Sequence, residues 1–186
     1  MRINEIISKF KNKEDNFWEK WNLENLTFSN INKILVVSDT HANYDVLNYV
    51  IDLEKPDLIL HAGDHEFSSD YLKENKIIFV QGNNDWFGPK ELILNVNNLK
   101  IGLIHGHKQY NPFHWHAKLD NHFQNENLDL IIYGHSHKEC FDQTMKPWIL
   151  NPGSIAIPRN KSLTRTYATI EFVNNNQTLI KIKTTS

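Results

Sequence analysis

Five short stretches of this sequence carry side chains that commonly bind metal ions. They combine carboxylate, imidazole and amide groups, most of them beside a glycine, in a chain with ten histidines. The stretches are Asp39–His41, Gly63–Asp64, Gly82–Asp85, His105–His107 and Gly134–His137. A single histidine is weak evidence for a metal site, but this grouping predicts metal-dependent chemistry.

The ligands in these stretches are a mixture of nitrogen and oxygen donors. Such a mixture suits manganese, iron, zinc, cobalt or nickel better than calcium, which prefers oxygen alone. The one cysteine, Cys140, excludes a thiolate cluster and is expected to pack within a strand. Seven candidate ligands are too many for one tetrahedral ion and suit two ions about 3.5–4 Å apart. We expect Asp64 to bridge them, because it stands between the contributions of the first and third stretches.

Each stretch directly follows a predicted β-strand. The apolar, β-branched run Ile34–Val37 predicts a buried strand, after which Asp39 and His41 point the same way on an extended backbone. Other strands are predicted at 57–61, 77–80, 92–96, 100–105 and 128–133, hairpins at 141–150 and 165–184, and helices at 43–54, 70–75 and 114–125. Open α/β sheets bind ligands at the carboxyl ends of their strands, so the loops are expected to converge. Strand–helix alternation followed by hairpins indicates an α/β layered sandwich with mixed sheets.

Residues 1–31 differ in character from the rest and predict a short helical extension before one domain over residues 32–186. Apolar residues recur at helical spacing in two segments, which are Ile3, Ile6, Ile7 and Phe10, and then Phe17, Trp18, Trp21 and Leu23. Two interpretations remain open for this extension. It packs on the domain, or its aromatic side chains form a contact with a partner or in a homodimer.

Composition limits the class of protein. The 186 residues are 40% hydrophobic and 23% charged with a net charge of −2, which is typical of a soluble globular domain. No basic field attracts nucleic acid, so no nucleic-acid partner is expected. The N-terminal segment lacks the apolar run of a signal peptide or membrane span. Together with the single cysteine, this predicts a cytoplasmic protein without membrane contact.

Six motifs occur in a defined order along the chain. They are DTH at Asp39–His41, HAGD at His61–Asp64, GNND at Gly82–Asp85, HGH at His105–His107, GHSH at Gly134–His137 and NPGSIAIPR at Asn151–Arg159. With this order and spacing, the sequence resembles the calcineurin-like metallophosphoesterases over about residues 33–182. Within them it resembles the small YfcE- and MJ0936-type phosphodiesterases, to which the adaptor Vps29 is related. The resemblance implies a four-layer α/β/β/α sandwich with two mixed β-sheets.

The resemblance also implies a ligand set and a reaction. The residues that match the ligands of a first ion are Asp39, His41, Asp64 and His137, and those that match the ligands of a second are Asp64, Asn83, His105 and His135. Manganese is the expected cofactor, with iron, nickel, zinc or cobalt as alternatives. The implied reaction is hydrolysis of a small phosphate ester, in the first place a phosphodiester, by a hydroxide that bridges the two ions.

Two further residues are expected to act in catalysis, Asn84 and His107. Many relatives have histidine at the position of Asn84, where it is implicated in stabilising the transition state or protonating the leaving oxygen. An amide donates a hydrogen bond but cannot deliver a proton at neutral pH. His107 is open between a substrate contact, orientation of His105 and a plain loop position. His61 is expected to lie in the core, and Asp85 to support a ligand or its loop.

Two other functions are compatible with the same fold. An adaptor like Vps29 binds partners instead of substrate and is expected to have lost metal ligands, whereas all seven are present here. A protein phosphatase or a nuclease keeps the chemistry and changes the substrate. The chain is short for a cap domain, and its net charge gives nucleic acid no general attraction, so both are less favoured than a small diester.

Overall fold

Two mixed β-sheets form the centre of the protein in a computed structural model that describes residues 26–173 and 177–185. The strands are β1 Leu26–Phe28, β2 Lys33–Val37, β3 Leu58–His61, β4 Ile77–Phe79, β5 Glu91–Val96, β6 Leu99–Ile104, β7 Leu130–Ile132, β8 Glu139–Asp142, β9 Trp148–Pro152, β10 Thr166–Val173 and β11 Gln177–Thr184. One sheet has the order β11-β10-β2-β3-β4, and the other has the order β1-β5-β6-β7-β9-β8. Parallel and antiparallel pairs occur in both sheets.

The alternation of side chains along β2 explains the layering. Ile34 and Val36 face the other sheet and pack in a core that both sheets share. Leu35 and Val37 face the opposite way and pack against a helix. Since successive side chains of a strand point to opposite faces, a strand buried on both faces is apolar at every position.

Three α-helices among the described residues cover the outer faces of the two sheets, and their bounds are α1 Tyr44–Glu54, α2 Ser69–Glu74 and α3 Trp115–His122. The side chain of Asn43 caps α1 by accepting a hydrogen bond from the backbone N–H of Val46 at 3.2 Å. Leu47 of α1 packs on the five-stranded sheet, and Leu119 of α3 packs on the six-stranded sheet. The helix–sheet–sheet–helix arrangement confirms the predicted fold class.

The carboxyl ends of strands from both sheets meet at one rim. Within the five-stranded sheet, β2, β3 and β4 are parallel, so the loops that follow them are neighbours. Within the six-stranded sheet, β6 and β7 are parallel as well. The backbone N–H of His135, after β7, donates to Oδ2 of Asp39, after β2, at 3.0 Å. A direct hydrogen bond therefore joins the loops of the two sheets at this rim. The predicted convergence of the loops is therefore confirmed.

One detail of the fold differs from the sequence-based expectation. Leu26–Phe28, within the span assigned to the helical extension, is a strand that pairs in parallel with β5. Leu26 and Phe28 are buried and Thr27 between them is exposed, which is the period of a strand. The predicted helices around Ile3 and Trp18 lie outside the described residues. No helix of the described part is long and apolar enough to cross a membrane.

Candidate metal centre

Asp39, His41 and His137 form a first group of potential ligands, whose ligand atoms all lie within 4.8 Å of one another. Nε2 of His137 lies 3.2 Å from Oδ1 of Asp39 and 3.4 Å from Nε2 of His41. Asp39 and His137 are buried. These side chains come from the loops after β2 and β7, so one strand of each sheet contributes to the group.

A second group consists of Asp39, Asp64 and His105, again with ligand atoms within 4.8 Å of one another. Nε2 of His105 lies 3.5 Å from Oδ1 of Asp64 and 3.1 Å from Oδ1 of Asn83. Asp39 therefore belongs to both groups, whereas Asp64 is the carboxylate that the sequence predicts as shared. Both oxygens of Asp64 instead accept hydrogen bonds from Asn84, through its backbone N–H at 2.8 Å and Nδ2 at 2.7 Å.

The hydrogen bonds of three imidazoles fix which ring nitrogen faces the centre. Nδ1 of His105 donates to the carbonyl of Ala62 at 2.7 Å, and Nδ1 of His137 donates to the carbonyl of Ile157 at 2.5 Å. A carbonyl only accepts, so Nδ1 carries a proton in both rings and Nε2 can offer a lone pair. Nδ1 of His41 lies 2.6 Å from Oε1 of Glu66, within hydrogen-bond distance. Such outer partners are the usual way in which metal-binding histidines are oriented.

These contacts leave electron pairs facing one another at the centre. Oδ2 of Asp39 accepts from Ser38 Oγ at 2.6 Å, whereas Oδ1 is buried without a hydrogen-bond partner in the described part of the chain. Oδ1 faces Nε2 of His137, whose proton is on the other nitrogen. A buried oxygen of this kind is costly unless a proton or a cation lies beside it. The residues present therefore fit divalent cations.

Asp64 and His105 shift each other's pKa in opposite directions. Burial raises the pKa of Asp64, but the imidazole of His105 beside it and hydrogen bonds from Asn84 outweigh this effect and hold the pKa well below its usual range. Burial lowers the pKa of His105, but the nearby carboxylates of Asp64 and Asp39 outweigh this effect and raise the pKa. The negative charges of Asp39 and Asp64 that raise this pKa also attract a cation.

Five of the seven predicted ligands have left-handed backbone conformations. Their φ angles are 52° at Asp39, 44° at His41, 54° at Asp64, 65° at His135 and 56° at His137. A residue with a Cβ atom adopts this region at a cost of about 1–2 kcal/mol. Such strain is characteristic of functional sites, where the surrounding structure keeps the side chains in position.

Close backbone approach also shapes the site. A Cβ atom on Gly82 would lie 2.0 Å from Oδ1 of Asp64, and one on Gly134 would lie 2.0 Å from Oγ of Ser38. Asp85 supports the same loops, because its carboxylate accepts from the backbone N–H groups of Asp64 and Gly82, both at 2.7 Å. This is the supporting role predicted for Asp85.

The remaining predicted site residues surround the two groups without belonging to them. The ring of His135 packs against that of His105 with centroids 5.3 Å apart. His107 lies 5.4 Å from His105 by the same measure, and burial together with His105 lowers its pKa. The amide of Asn84 faces Asp64. His61 is a core residue as predicted, with Nδ1 accepting from the N–H of Gly63 and Nε2 next to Thr40 Oγ1.

Sequence reasoning missed two residues that hold the ligands. The carboxylate of Glu66 forms a hydrogen bond with the ring of His41, and the hydroxyl of Ser38 donates to the carboxylate of Asp39. Neither has a spacing signal of its own, since serine and glutamate beside a motif are common in loops. Only the turn of the backbone after β2 and β3 brings them to their partners.

The chain matches the family model described as the calcineurin-like phosphoesterase superfamily domain over residues 33–175. It is 33% identical over 140 residues to a Mycoplasma pneumoniae protein named as a metallophosphoesterase, with 74% of this chain and 88% of the relative covered. The phosphodiesterase MJ0936 of Methanocaldococcus jannaschii is 28% identical over 147 residues, which cover 65% of this chain and 82% of the relative.

Solved structures give the same result. A Streptococcus pneumoniae protein described as a predicted phosphoesterase superposes with a TM-score of 0.73 at 31% identity, over 83% of this chain and 90% of that protein. Vps29 of Entamoeba histolytica, in a crystal structure with zinc, superposes with a TM-score of 0.63 at 20% identity, over 83% of this chain and 99% of that protein. At that identity, the second comparison shows the shared fold alone.

Proposed function

The chain belongs to the calcineurin-like phosphoesterase superfamily, and we propose that it is a metal-dependent phosphodiesterase of the cytoplasm that hydrolyses small phosphate esters. One observation carries the proposal. The ligand atoms of two groups, Asp39, His41 and His137 and then Asp39, Asp64 and His105, lie within 4.8 Å of one another in each group. Oδ1 of Asp39, which belongs to both groups, is buried without a hydrogen-bond partner in the described part of the chain, an arrangement that suits two divalent cations.

The chain's own residues would divide the work between holding the ions and orienting the ligands. The proposed ligands are Asp39, His41, Asp64, Asn83, His105, His135 and His137, with manganese as the first candidate and iron, nickel, zinc or cobalt as alternatives. Bound cations would supply a water that ionises near neutral pH and positive charge for the phosphate oxygens. Asp85 and Glu66 hold the loops and rings in position, so that little reorganisation is needed when substrate binds.

Asn84 and His107 are the two residues proposed to assist the reaction. The amide of Asn84 holds Asp64 and lies at the same face of the site, where it can donate to a phosphate oxygen. The ring of His107 lies beside His105 and His135 with a lowered pKa, caused first by burial and then by His105. A lowered pKa favours the neutral form of the imidazole, which can accept a proton.

Hydrolysis of bis-p-nitrophenyl phosphate with added manganese, nickel, cobalt or zinc tests this proposal. Wild-type protein is expected to release p-nitrophenol with at least one metal, and Asp64→Asn is expected to abolish release. Asp70→Asn is the matched control, since the Asp70 side chain is 84% exposed on α2. No turnover by folded wild-type protein with any of the four metals would contradict the proposal and favour a binding role like that of an adaptor.

A further inference from the structure

A cleft of about 570 Å³ opens beside the candidate metal centre, next to the loops after β6 and β7. The side chains that matter for its chemistry are Tyr110, Trp115, Tyr133, His135, Lys138 and Arg159. Its volume is within the range of pockets that hold small organic ligands. The function proposed above does not account for this cleft.

Aromatic rings form the walls of the cleft. The rings of Tyr110 and Trp115 meet edge to face with centroids 5.0 Å apart, and Trp115 meets Tyr133 in the same way at 4.8 Å. Nε1 of Trp115 donates to the carbonyl of Gly106 at 3.2 Å, which holds the indole in place. Tyr110 keeps 52% of its surface exposed, so one of these rings remains available to a ligand.

The cleft is continuous with the metal-binding loops. His135 lines it and packs against Tyr110 with ring centroids 5.7 Å apart, while its backbone N–H donates to Asp39. On the other side, the backbone N–H of Arg159 donates to the carbonyl of His137 at 2.9 Å. A molecule with its phosphate at the ions can therefore extend an attached group into the cleft.

The charges of the cleft favour an anionic ligand. Lys138 and Arg159 are exposed, and within the described part of the chain neither forms an ion pair with a carboxylate. The acidic residue beside them, Glu139, already accepts a hydrogen bond from Nδ2 of Asn160 at 2.8 Å. Two basic side chains that are not paired with carboxylates, in a cleft with aromatic walls, suit a planar ring that is attached to a phosphate.

We propose that this cleft binds the base of a nucleotide, so that the substrate class is a phosphodiester with a nucleoside on one arm. The proposal rests on the phosphodiesterase function above and specifies its substrate. Tyr110 would stack on the base with its exposed face, and Trp115 would hold Tyr110 at the required angle. Phosphate esters with only small aliphatic arms would leave the cleft unfilled.

Calorimetric titration of the manganese-loaded protein with two monophosphates tests the assignment without depending on turnover. Adenosine 5′-monophosphate and ribose 5-phosphate share the phosphate and the sugar and differ in the base. Wild-type protein is expected to bind the nucleotide at least about tenfold more tightly. Tyr110→Ala is expected to reduce that ratio at least about fivefold, since stacking on an aromatic side chain is lost.

Two variants make the result specific to the exposed ring. Tyr110→Phe keeps the ring and is expected to keep the preference for the nucleotide. Phe113→Ala removes a ring that is 87% exposed on the same loop but does not line the cleft, and is expected to keep it too. Equal affinity of wild-type protein for both compounds, or an unchanged ratio in Tyr110→Ala, would overturn the assignment. If wild-type protein binds the nucleotide more tightly but does not hydrolyse bis-p-nitrophenyl phosphate, the result would instead contradict the phosphodiesterase proposal.

Discussion

Asn84 donates two hydrogen bonds to the carboxylate of Asp64, one from its backbone N–H to Oδ1 at 2.8 Å and one from Nδ2 to Oδ2 at 2.7 Å. A single residue thus fixes both oxygens of a proposed metal ligand. The side chain that replaces the histidine of many relatives therefore has a positioning role in this structure, in addition to any contact with substrate.

Asn84→Ala is expected to weaken metal binding, because Asp64 keeps the backbone N–H donor but loses the side-chain donor to Oδ2. Outer partners of metal ligands typically contribute about 10–100-fold to metal affinity or activity. We expect the manganese concentration for half-maximal phosphodiesterase activity to rise by about that factor. Asn125→Ala, at an exposed position, is the control and should leave the concentration unchanged. An unchanged manganese requirement in Asn84→Ala would contradict this role.

Asp85→Ala is expected to destabilise the fold as well as the site. The carboxylate accepts from the backbone N–H groups of Asp64, Glu66 and Gly82, and the substitution leaves these donors without their acceptor. Unsatisfied buried donors predict a loss of about 2–4 kcal/mol in the free energy of unfolding. Urea denaturation in metal-free buffer measures it, and Asp85→Asn, which keeps one acceptor oxygen, should lose less. Equal stability of Asp85→Ala and wild type would refute the prediction.

Gly82→Ala is expected to reduce phosphodiesterase activity at least about tenfold. The new methyl group would lie 2.0 Å from Oδ1 of Asp64 and 2.3 Å from its backbone nitrogen, so the proposed ligand must move. Gly102→Ala is the matched control, since its methyl group meets the tip of Leu128 at 2.5 Å, away from the site, and a flexible side chain can shift. Activity of Gly82→Ala within twofold of wild type would show that the close approach is unimportant.

Glu54 is expected to make stability depend on pH. Burial raises its pKa, but hydrogen bonds from Tyr167, Lys183 and Lys33 outweigh it and lower the pKa below the ordinary value of 4.5. A carboxyl with a lowered folded-state pKa stabilises the protein above its unfolded-state pKa, and this contribution is lost as the pH falls through the folded-state pKa. The stabilisation is thus complete at neutral pH and declines below about pH 4.5.

Thermal unfolding of Glu54→Gln tests this pH dependence. Near pH 7 we expect a loss of about 1–2 kcal/mol relative to wild type, because the charged hydrogen bonds are weakened. The difference should shrink as the pH falls below 4.5. Glu74→Gln, exposed on α2, serves as the control. A difference that stays constant from pH 7 to pH 3 would contradict the assignment.

The fold could be predicted largely from local patterns. Ile34–Val37 is a strand because a run that is buried on both faces must be apolar throughout, and Asn43 marks the start of α1 by its capping side chain. The strand Leu26–Phe28 could not be predicted, since three residues give too short a period and the partner strand β5 lies far along the chain. Its burial comes from tertiary packing.

The loops that form the site could be predicted from the sequence, but the relative positions of their side chains could not. Polar residues after strands indicate a shared rim, and the structure confirms that Asp39 and Asp64 lie together there. The position of Asp39 in both groups depends on its left-handed backbone, with φ 52°, which the sequence does not encode by any simple rule. The cleft between Tyr110 and Trp115 depends on loop conformation in the same way.

Anomalous X-ray scattering at the manganese edge, from crystals grown with manganese, would locate the two proposed metal ions. Two peaks are expected among the side chains of Asp39, His41, Asp64, His105 and His137, with Asp39 or Asp64 in contact with both. Crystals of Asp64→Asn should show weaker or missing density for at least one ion. Wild-type crystals without a peak among these side chains, or with manganese bound only elsewhere, would contradict the account.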